Sequence, residues 1–116
     1  MHLKITHNAD VSVIHLEGDF LLEPEQNQLR EIVHQLISKG NKNFIIDLTG
    51  VKHINSCGLG SLVCAYTSAR KTGGNLKLAG PGTSVQELLT ITQLVTIFDI
   101  SPTLDLALAG FTGRKQ

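Results

Sequence analysis

The residue types that could do chemistry are concentrated in residues 47–62. This stretch carries the side chains Asp47, His53, Asn55, Ser56 and Cys57. Asn and Ser are preferred at helix N-caps, where a serine hydroxyl is exposed. A thiolate in the first turn of a helix is stabilised there. The residues themselves leave two readings of Ser56 open, a plain helix cap or a hydroxyl offered for modification.

The sequence lacks the partner residues that most catalytic mechanisms require. The chain has no pair of carboxylates placed for acid–base work, no supported Ser-His-Asp arrangement and no phosphate loop ending in Gly-Lys-Ser/Thr. A phosphatase-like Cys57 would need an arginine six residues on, where Val63 stands. We therefore interpret Cys57 and Cys64 as small packing residues. The five histidines are dispersed, so we expect no metal and no cofactor.

Composition narrows the class of protein. The chain has 116 residues, 41% of them hydrophobic and 17% charged, with ten basic residues balancing ten acidic ones. This length fits one domain, and the neutral charge does not favour nucleic acid or an anionic membrane. There is no apolar run of signal-peptide or membrane-spanning length. We expect a small cytoplasmic domain over residues 1–112 with a short tail over 113–116.

Hydrophobic periodicity predicts an α/β domain in a single layered arrangement. The order ββαβαβαβα implies a mixed sheet of four or five strands with about four helices. An opening hairpin precedes a helix with Pro24 in its first turn and Gly40 after its end. The run from Phe44 to Leu48 reads as a strand covered on both faces, followed by a loop.

Local signals place the later elements. A helix is predicted to begin at Asn55 or Ser56 and to stop at Gly73-Gly74. Residues 84–87, Ser-Val-Gln-Glu, match a capping box that would open a third helix. Residues 95–98 read as a last short strand, and Ser101-Pro102 reads as the cap of a final helix.

The predicted helix start is also the predicted site. In open α/β sheets, ligands and partners bind beyond the carboxyl ends of the strands. Gly58 and Gly60 fall in the first turn of this helix, where each glycine costs about 1 kcal/mol relative to alanine. Close approach of a ligand or partner would explain them, and so would tight packing on the sheet.

The motif residues resemble a known family. Residues 54–60 read Ile-Asn-Ser-Cys-Gly-Leu-Gly, preceded by Asp-Leu-Thr-Gly-Val at 47–51. Together with Gly18-Asp19 and the run 71–74, Lys-Thr-Gly-Gly, they resemble the STAS domain, specifically bacterial anti-sigma factor antagonists. Those proteins carry an Asp-Ser-Ser-Gly-Leu-Gly type loop at this helix start. The likeness covers nearly the whole chain.

The resemblance implies a non-enzymatic regulator of transcription that acts by partner switching. In this family the unmodified antagonist binds an anti-sigma factor, which is also a serine kinase of the histidine-kinase-like ATPase fold, and so frees the sigma factor. Phosphorylation releases the antagonist, and a phosphatase restores it. Carried over, the phosphoacceptor is Ser56. The partner-binding residues implied are Asn55, Ser56, Cys57, Gly58, Leu59, Gly60, Asp19 and Leu21.

Physical chemistry agrees with this assignment. A phosphate at a helix start meets free N–H groups and is tolerated by the fold, while its bulk and charge disrupt a packed interface. Two positions depart from the family: Asn55 stands for an acidic residue, and so does Leu21.

These departures motivate an alternative, a STAS scaffold that is not phosphorylated, or a subunit of a stressosome-like or lipid-transport complex. A third hypothesis is a small enzyme or nucleotide-binding module using the crevice at residues 55–60. The partner's identity and the oligomeric state stay open.

Overall fold

The predicted fold class is confirmed by a computed structural model, which describes residues 2–8, 10–20 and 23–113. The strands are β1 (His2–Asn8), β2 (Val11–Phe20), β3 (Asn43–Ile54), β4 (Asn75–Ala79) and β5 (Asp99–Ser101). The helices are α1 (Glu23–Ser38), α2 (Ser56–Lys71), α3 (Thr83–Ile91) and α4 (Leu104–Gly113). Pro24 lies in the first turn of α1, and Gly40 follows its end with φ +97°, both as predicted.

The five strands form one mixed sheet in the spatial order β1-β2-β3-β4-β5. The opening hairpin pairs β1 and β2 antiparallel, and the other neighbours are parallel. Because parallel strands run the same way, β2, β3, β4 and β5 all end at one edge of the sheet. The amino end of α2 follows β3 at that edge.

Side chains alternate along the central strand β3, so each face of the sheet has its own buried cluster. Phe44, Ile46 and Leu48 are fully buried in the cluster that α1, α2 and α3 cover. Ile45 points the other way, into a smaller cluster formed with Ala107 and Phe111 of α4. The central strand is therefore covered on both faces here, which is why it reads as a continuous apolar run.

The loop predicted after Leu48 is wrong, because β3 continues to Ile54. Strand β2 also runs on past Gly18 to Phe20, so the two strands stay paired, with irregular register on either side of Glu17 and Gly18. Gly18 has φ +97°, a backbone conformation that glycine adopts without strain. The extension carries the chain directly into α2.

The strand predicted at residues 95–98 is also wrong. Leu94–Thr96 forms a 3-10 turn, and β5 begins only at Asp99, where the chain pairs with Lys77 of β4. Phe98 is buried, and its ring meets Tyr66 edge-on with centroids 5.4 Å apart. Val95 and Ile97 are exposed, so the β-branched run lies outside the sheet and only Phe98 of this segment is buried.

Two predicted caps are replaced by neighbouring residues. Helix α3 begins at Thr83 after an N-cap at Gly82, so Ser84 lies inside the first turn and the predicted capping box is not formed. The Thr103 hydroxyl accepts the Leu106 N–H at 3.2 Å, so Thr103 caps α4 instead of Ser101-Pro102. Ser101 ends β5.

Helix α4 closes the second face of the sheet over a buried lysine. The Lys77 ammonium lies 3.0 Å from Asp99 Oδ2 and 4.9 Å from the centroid of the Phe111 ring. Gly113, placed in the predicted tail, is the last residue of α4, and residues 114–116 lie outside the described part. Among the helices of the described ranges, none has the length and apolarity to cross a bilayer.

Candidate functional site at the amino end of α2

Helix α2 begins where the sequence predicts. Asn55 is its N-cap, with an extended backbone and a side-chain Oδ1 that accepts the Gly58 N–H at 2.8 Å. The Asn55 carbonyl accepts the Leu59 N–H at 3.0 Å, the first bond of the helical ladder. Asn55 satisfies one of the N–H groups that every helix start leaves without a partner. Ser56 is therefore the first residue of the helix.

Ser56 and Cys57 are exposed at this helix start. The positive end of the helix dipole and the N–H groups of the first turn favour a negative charge here. The first turn contains no acidic residue that would already supply one. A phosphoryl group on Ser56 would thus meet a favourable field without entering the core.

The two glycines near the start of α2 differ, because Gly58 lies in the first turn and Gly60 is the fifth helical residue, just beyond it. Gly58 is buried, but Gly60 is exposed, and a Cβ built on Gly60 would have no heavy atom within 4 Å. Packing on the sheet therefore does not explain why position 60 has no side chain. Leu59 was predicted as a partner contact, but it is a core residue with 2% exposure, and that prediction is corrected. Gly58 is also buried and has little surface that a partner could contact.

Asp19 reaches the same edge of the sheet from the neighbouring strand. The pairing of Phe20 with Ile54 brings the end of β2 beside the residue that precedes Asn55. The Asp19 carboxylate lies 3.0 Å from Nδ1 of His53, and both side chains are more than half exposed. Leu21, the other residue predicted from this segment, lies outside the described residues. We call Asp19, His53, Ser56, Cys57 and Gly60 the α2-start surface.

Sequence reasoning missed Gln26, which reaches this helix start from α1. Its side-chain Nε2 donates to Oδ1 of Asn55 at 3.3 Å. Gln26 is 5% exposed. A signal for it exists, because Gln26 precedes Leu29 and Val33 by three and seven residues and so falls on the core-facing stripe of α1. A polar residue on an apolar stripe needs a partner.

A second polar network lies on the face of the sheet away from α2. Asp47 Oδ2 lies 2.8 Å from His15 Nδ1, and Asp47 Oδ1 accepts both the backbone N–H and the hydroxyl of Thr49. Nε2 of His15 lies 3.0 Å from the Thr6 hydroxyl. Burial alone raises the pKa of Asp47, but the bonds from Thr49 and His15 outweigh it, and the pKa lies below the ordinary 3.8. Asp47 is therefore held by hydrogen bonds from Thr49 and His15.

The cysteines and histidines do not gather into a metal site. Cys57 and Cys64 are free thiols, both exposed, so the interpretation of them as packing residues is wrong. Within residues 2–8, 10–20 and 23–113, no three His, Cys, Asp or Glu side chains are grouped as a metal would require.

Comparison with known proteins identifies the family that this fold and helix start define. The STAS domain family matches residues 2–107, and the chain belongs to that family. A relative in Thermotoga neapolitana, which carries the name of an anti-sigma factor antagonist and TM1081 homolog, is 31% identical over 83 residues, 72% of this chain and 74% of that protein.

Solved structures share the fold. The crystal structure of tm1081 from Thermotoga maritima is similar with a TM-score of 0.84 and 23% identity, covering 93% of this chain and 92% of the other. Bacillus SpoIIAA in its phosphorylated form is similar with a TM-score of 0.75 and 17% identity, covering 95% and 99%. Its unphosphorylated form also has a TM-score of 0.75, at 16% identity, covering 97% and 99%.

Proposed function

We propose that this chain is an anti-sigma factor antagonist. In this proposal it binds, in the cytoplasm, an anti-sigma factor that is also a serine kinase of the histidine-kinase-like ATPase fold, and so frees a sigma factor. The kinase phosphorylates Ser56, the phosphorylated chain dissociates, and a phosphatase reverses the modification. The chain itself acts as a binding protein and not as an enzyme.

The observation that carries the proposal is the position of Ser56. Its side chain is exposed as the first residue of α2, with the cap supplied by Asn55. The Ser56 hydroxyl is therefore not required to cap the helix, which leaves it available to a kinase. A phosphoryl group adds about −1.5 to −2 charges at pH 7 and would disrupt a desolvated contact without unfolding the helix.

Gly60 supports a close contact at the same place. An exposed glycine inside a helix is destabilising by roughly 1 kcal/mol relative to alanine. With open space around its missing Cβ, Gly60 serves no packing need within the chain. A partner whose surface approaches the α2 backbone at Gly60 explains why no side chain is present.

The relatives add support of a different kind. One carries the name of an anti-sigma factor antagonist, and SpoIIAA has been solved in both an unphosphorylated and a phosphorylated form. Phosphorylation is thus compatible with this fold in another protein.

The test uses the small ATPase-fold serine kinases encoded in the genome that encodes this chain. Each purified kinase is incubated with the full chain and Mg-ATP, and the products are mapped by mass spectrometry. We expect one kinase to add a single phosphate to Ser56. The control is Ser84→Ala, since Ser84 is also an exposed serine in a first helical turn. It should be phosphorylated like the wild type, while Ser56→Ala should not be.

Binding measurements separate the switch from the scaffold alternative. In calorimetry with the same kinase, Ser56→Ala should bind like the wild type, and Ser56→Asp should bind at least ten-fold more weakly. Equal affinity of the two variants would favour a scaffold without a switch, for which the neutral Asn55 is the supporting observation. No binding and no phosphate with any of the kinases would overturn the proposal.

A further inference from the structure

We propose that Gln26 is a positioning residue for Ser56. In this inference, which rests on the proposed function, the Gln26–Asn55 hydrogen bond holds the first turn of α2 in the geometry that the kinase recognises. This bond joins α1 directly to the N-cap residue of α2.

The geometry places one oxygen at the centre of the arrangement. Oδ1 of Asn55 accepts from the Gly58 backbone at 2.8 Å and from Gln26 Nε2 at 3.3 Å. A carbonyl oxygen has two lone pairs, so both donors are accommodated at once. Because Asn55 directly precedes Ser56, the orientation of the Asn55 side-chain amide fixes the start of the helix and the position of the Ser56 hydroxyl.

The burial of Gln26 argues for a function beyond packing. Gln26 is 5% exposed on the stripe that also buries Leu29 and Val33. A leucine or methionine there would bury apolar surface with no polar group to satisfy, whereas a buried amide is unfavourable unless it is hydrogen-bonded. The amide side chain is therefore explained by its bond to Asn55.

Asn55 makes this bond more important here than it would be with an acid. A carboxylate cap accepts charge-assisted bonds, which are roughly twice as strong as neutral ones. The neutral Asn55 amide can also rotate and present its NH₂ group instead of its oxygen, which would remove the cap from Gly58. The donor on Gln26 favours the orientation in which the oxygen faces both partners.

Three full-length variants test the inference. Gln26→Met keeps the length of the side chain and removes the donor, while Gln26→Glu places an acceptor opposite Oδ1. Gln28→Met is the matched control, because Gln28 is exposed on the same helix. Amide hydrogen exchange is followed at Gly58 and at Leu62, further along α2, and phosphorylation of Ser56 is measured with the kinase identified above.

We expect Gln26→Met to speed exchange at Gly58 about five-fold, as for one lost neutral hydrogen bond, and to leave Leu62 unchanged. The kcat for Ser56 phosphorylation should fall by a similar factor, with Gln26→Glu falling further and Gln28→Met unchanged. Unchanged exchange at Gly58, or a uniform increase along α2, would overturn the inference. So would faster exchange at Gly58 with an unchanged kcat.

The two proposals fail in different ways. If no kinase binds or phosphorylates the wild type, the proposed function is wrong, while the exchange measurement still decides whether Gln26 holds the helix start. If the wild type is phosphorylated and Gln26→Met is phosphorylated equally well, only the inference about Gln26 is wrong.

Discussion

The two ends of α2 each carry a pair of glycines, and the fold explains one pair better than the other. At the carboxyl end, Gly73 has φ +86°, and a Cβ on Gly74 would overlap the carbonyl oxygen of Lys42. At the amino end, Gly60 is exposed and its missing side chain would meet nothing. Residues that the fold does not require are where an external partner is expected to act, and this contrast separates structural glycines from functional ones.

The largest expected effect comes from Gly74→Ala. Its methyl group would push against the Lys42 backbone, which already accepts the Asn75 N–H at 3.1 Å and cannot move freely. We expect the free energy of unfolding to fall by about 3 kcal/mol in urea denaturation. Gly73→Ala places alanine in the left-handed region without a steric clash, and the free energy of unfolding should fall by about 1 kcal/mol. A neutral Gly74→Ala would show that the carboxyl end tolerates side chains after all.

Gly60→Ala should give the opposite stability change together with a binding defect. Replacing an exposed helical glycine raises the free energy of unfolding by about 0.5–1 kcal/mol. In calorimetry we expect the affinity for the kinase to fall about ten-fold, or about 1.4 kcal/mol. Thr67→Ala, an exposed β-branched position in the middle of α2, should gain stability without losing affinity. Wild-type affinity for Gly60→Ala would remove the functional reading of this glycine.

Asp47 tests whether the scaffold can be weakened without touching the α2-start surface. Asp47→Asn loses the charge-assisted bond to His15, and we expect about 1 kcal/mol less stability at pH 7 with unchanged kinase affinity. The pKa of Asp47 is lowered on folding, so its carboxylate stabilises the fold above the unfolded pKa, and this stabilisation is lost as the pH falls through the folded pKa.

The expected sign of this pH dependence is therefore specific. The stability difference between the wild type and Asp47→Asn should be full at neutral pH and shrink below about pH 4, as followed by thermal melts from pH 7 to pH 3. A difference that grows on acidification would contradict the assignment. A loss of kinase affinity at pH 7 would show that the scaffold and the surface are coupled.

How far the sequence could predict the structure depends on how local each signal is. The start of α2 is predicted correctly because a cap, a hydroxyl residue and a following glycine act within one turn. The far half of β3 is missed because its strand character comes from pairing with β2, more than thirty residues earlier in the chain. Gly50 looks like a loop residue until that pairing is known.

The same distinction holds for the site. Ser56 and Asn55 are found from neighbouring residues, but the Gln26 contact joins positions 29 residues apart. His15 and Asp47 are 32 residues apart and meet only because β2 and β3 pair in register. Such tertiary contacts leave only a weak signal in the sequence, such as a polar residue on an apolar stripe. This signal indicates that a partner exists but does not identify it.

The smallest expected changes in the free energy of unfolding come from altering the charge at each end of α2. Ser56→Asp adds a negative charge at the positive end of the helix dipole, and we expect about 0.5 kcal/mol more stability. Lys71→Glu reverses a charge that favours the negative end and should lose a similar amount. Both shifts should shrink in 1 M salt, because exposed charges are screened. If Ser56→Asp destabilised the free chain in urea denaturation, phosphorylation would act by unfolding the helix start, and not by disrupting an interface on an intact fold.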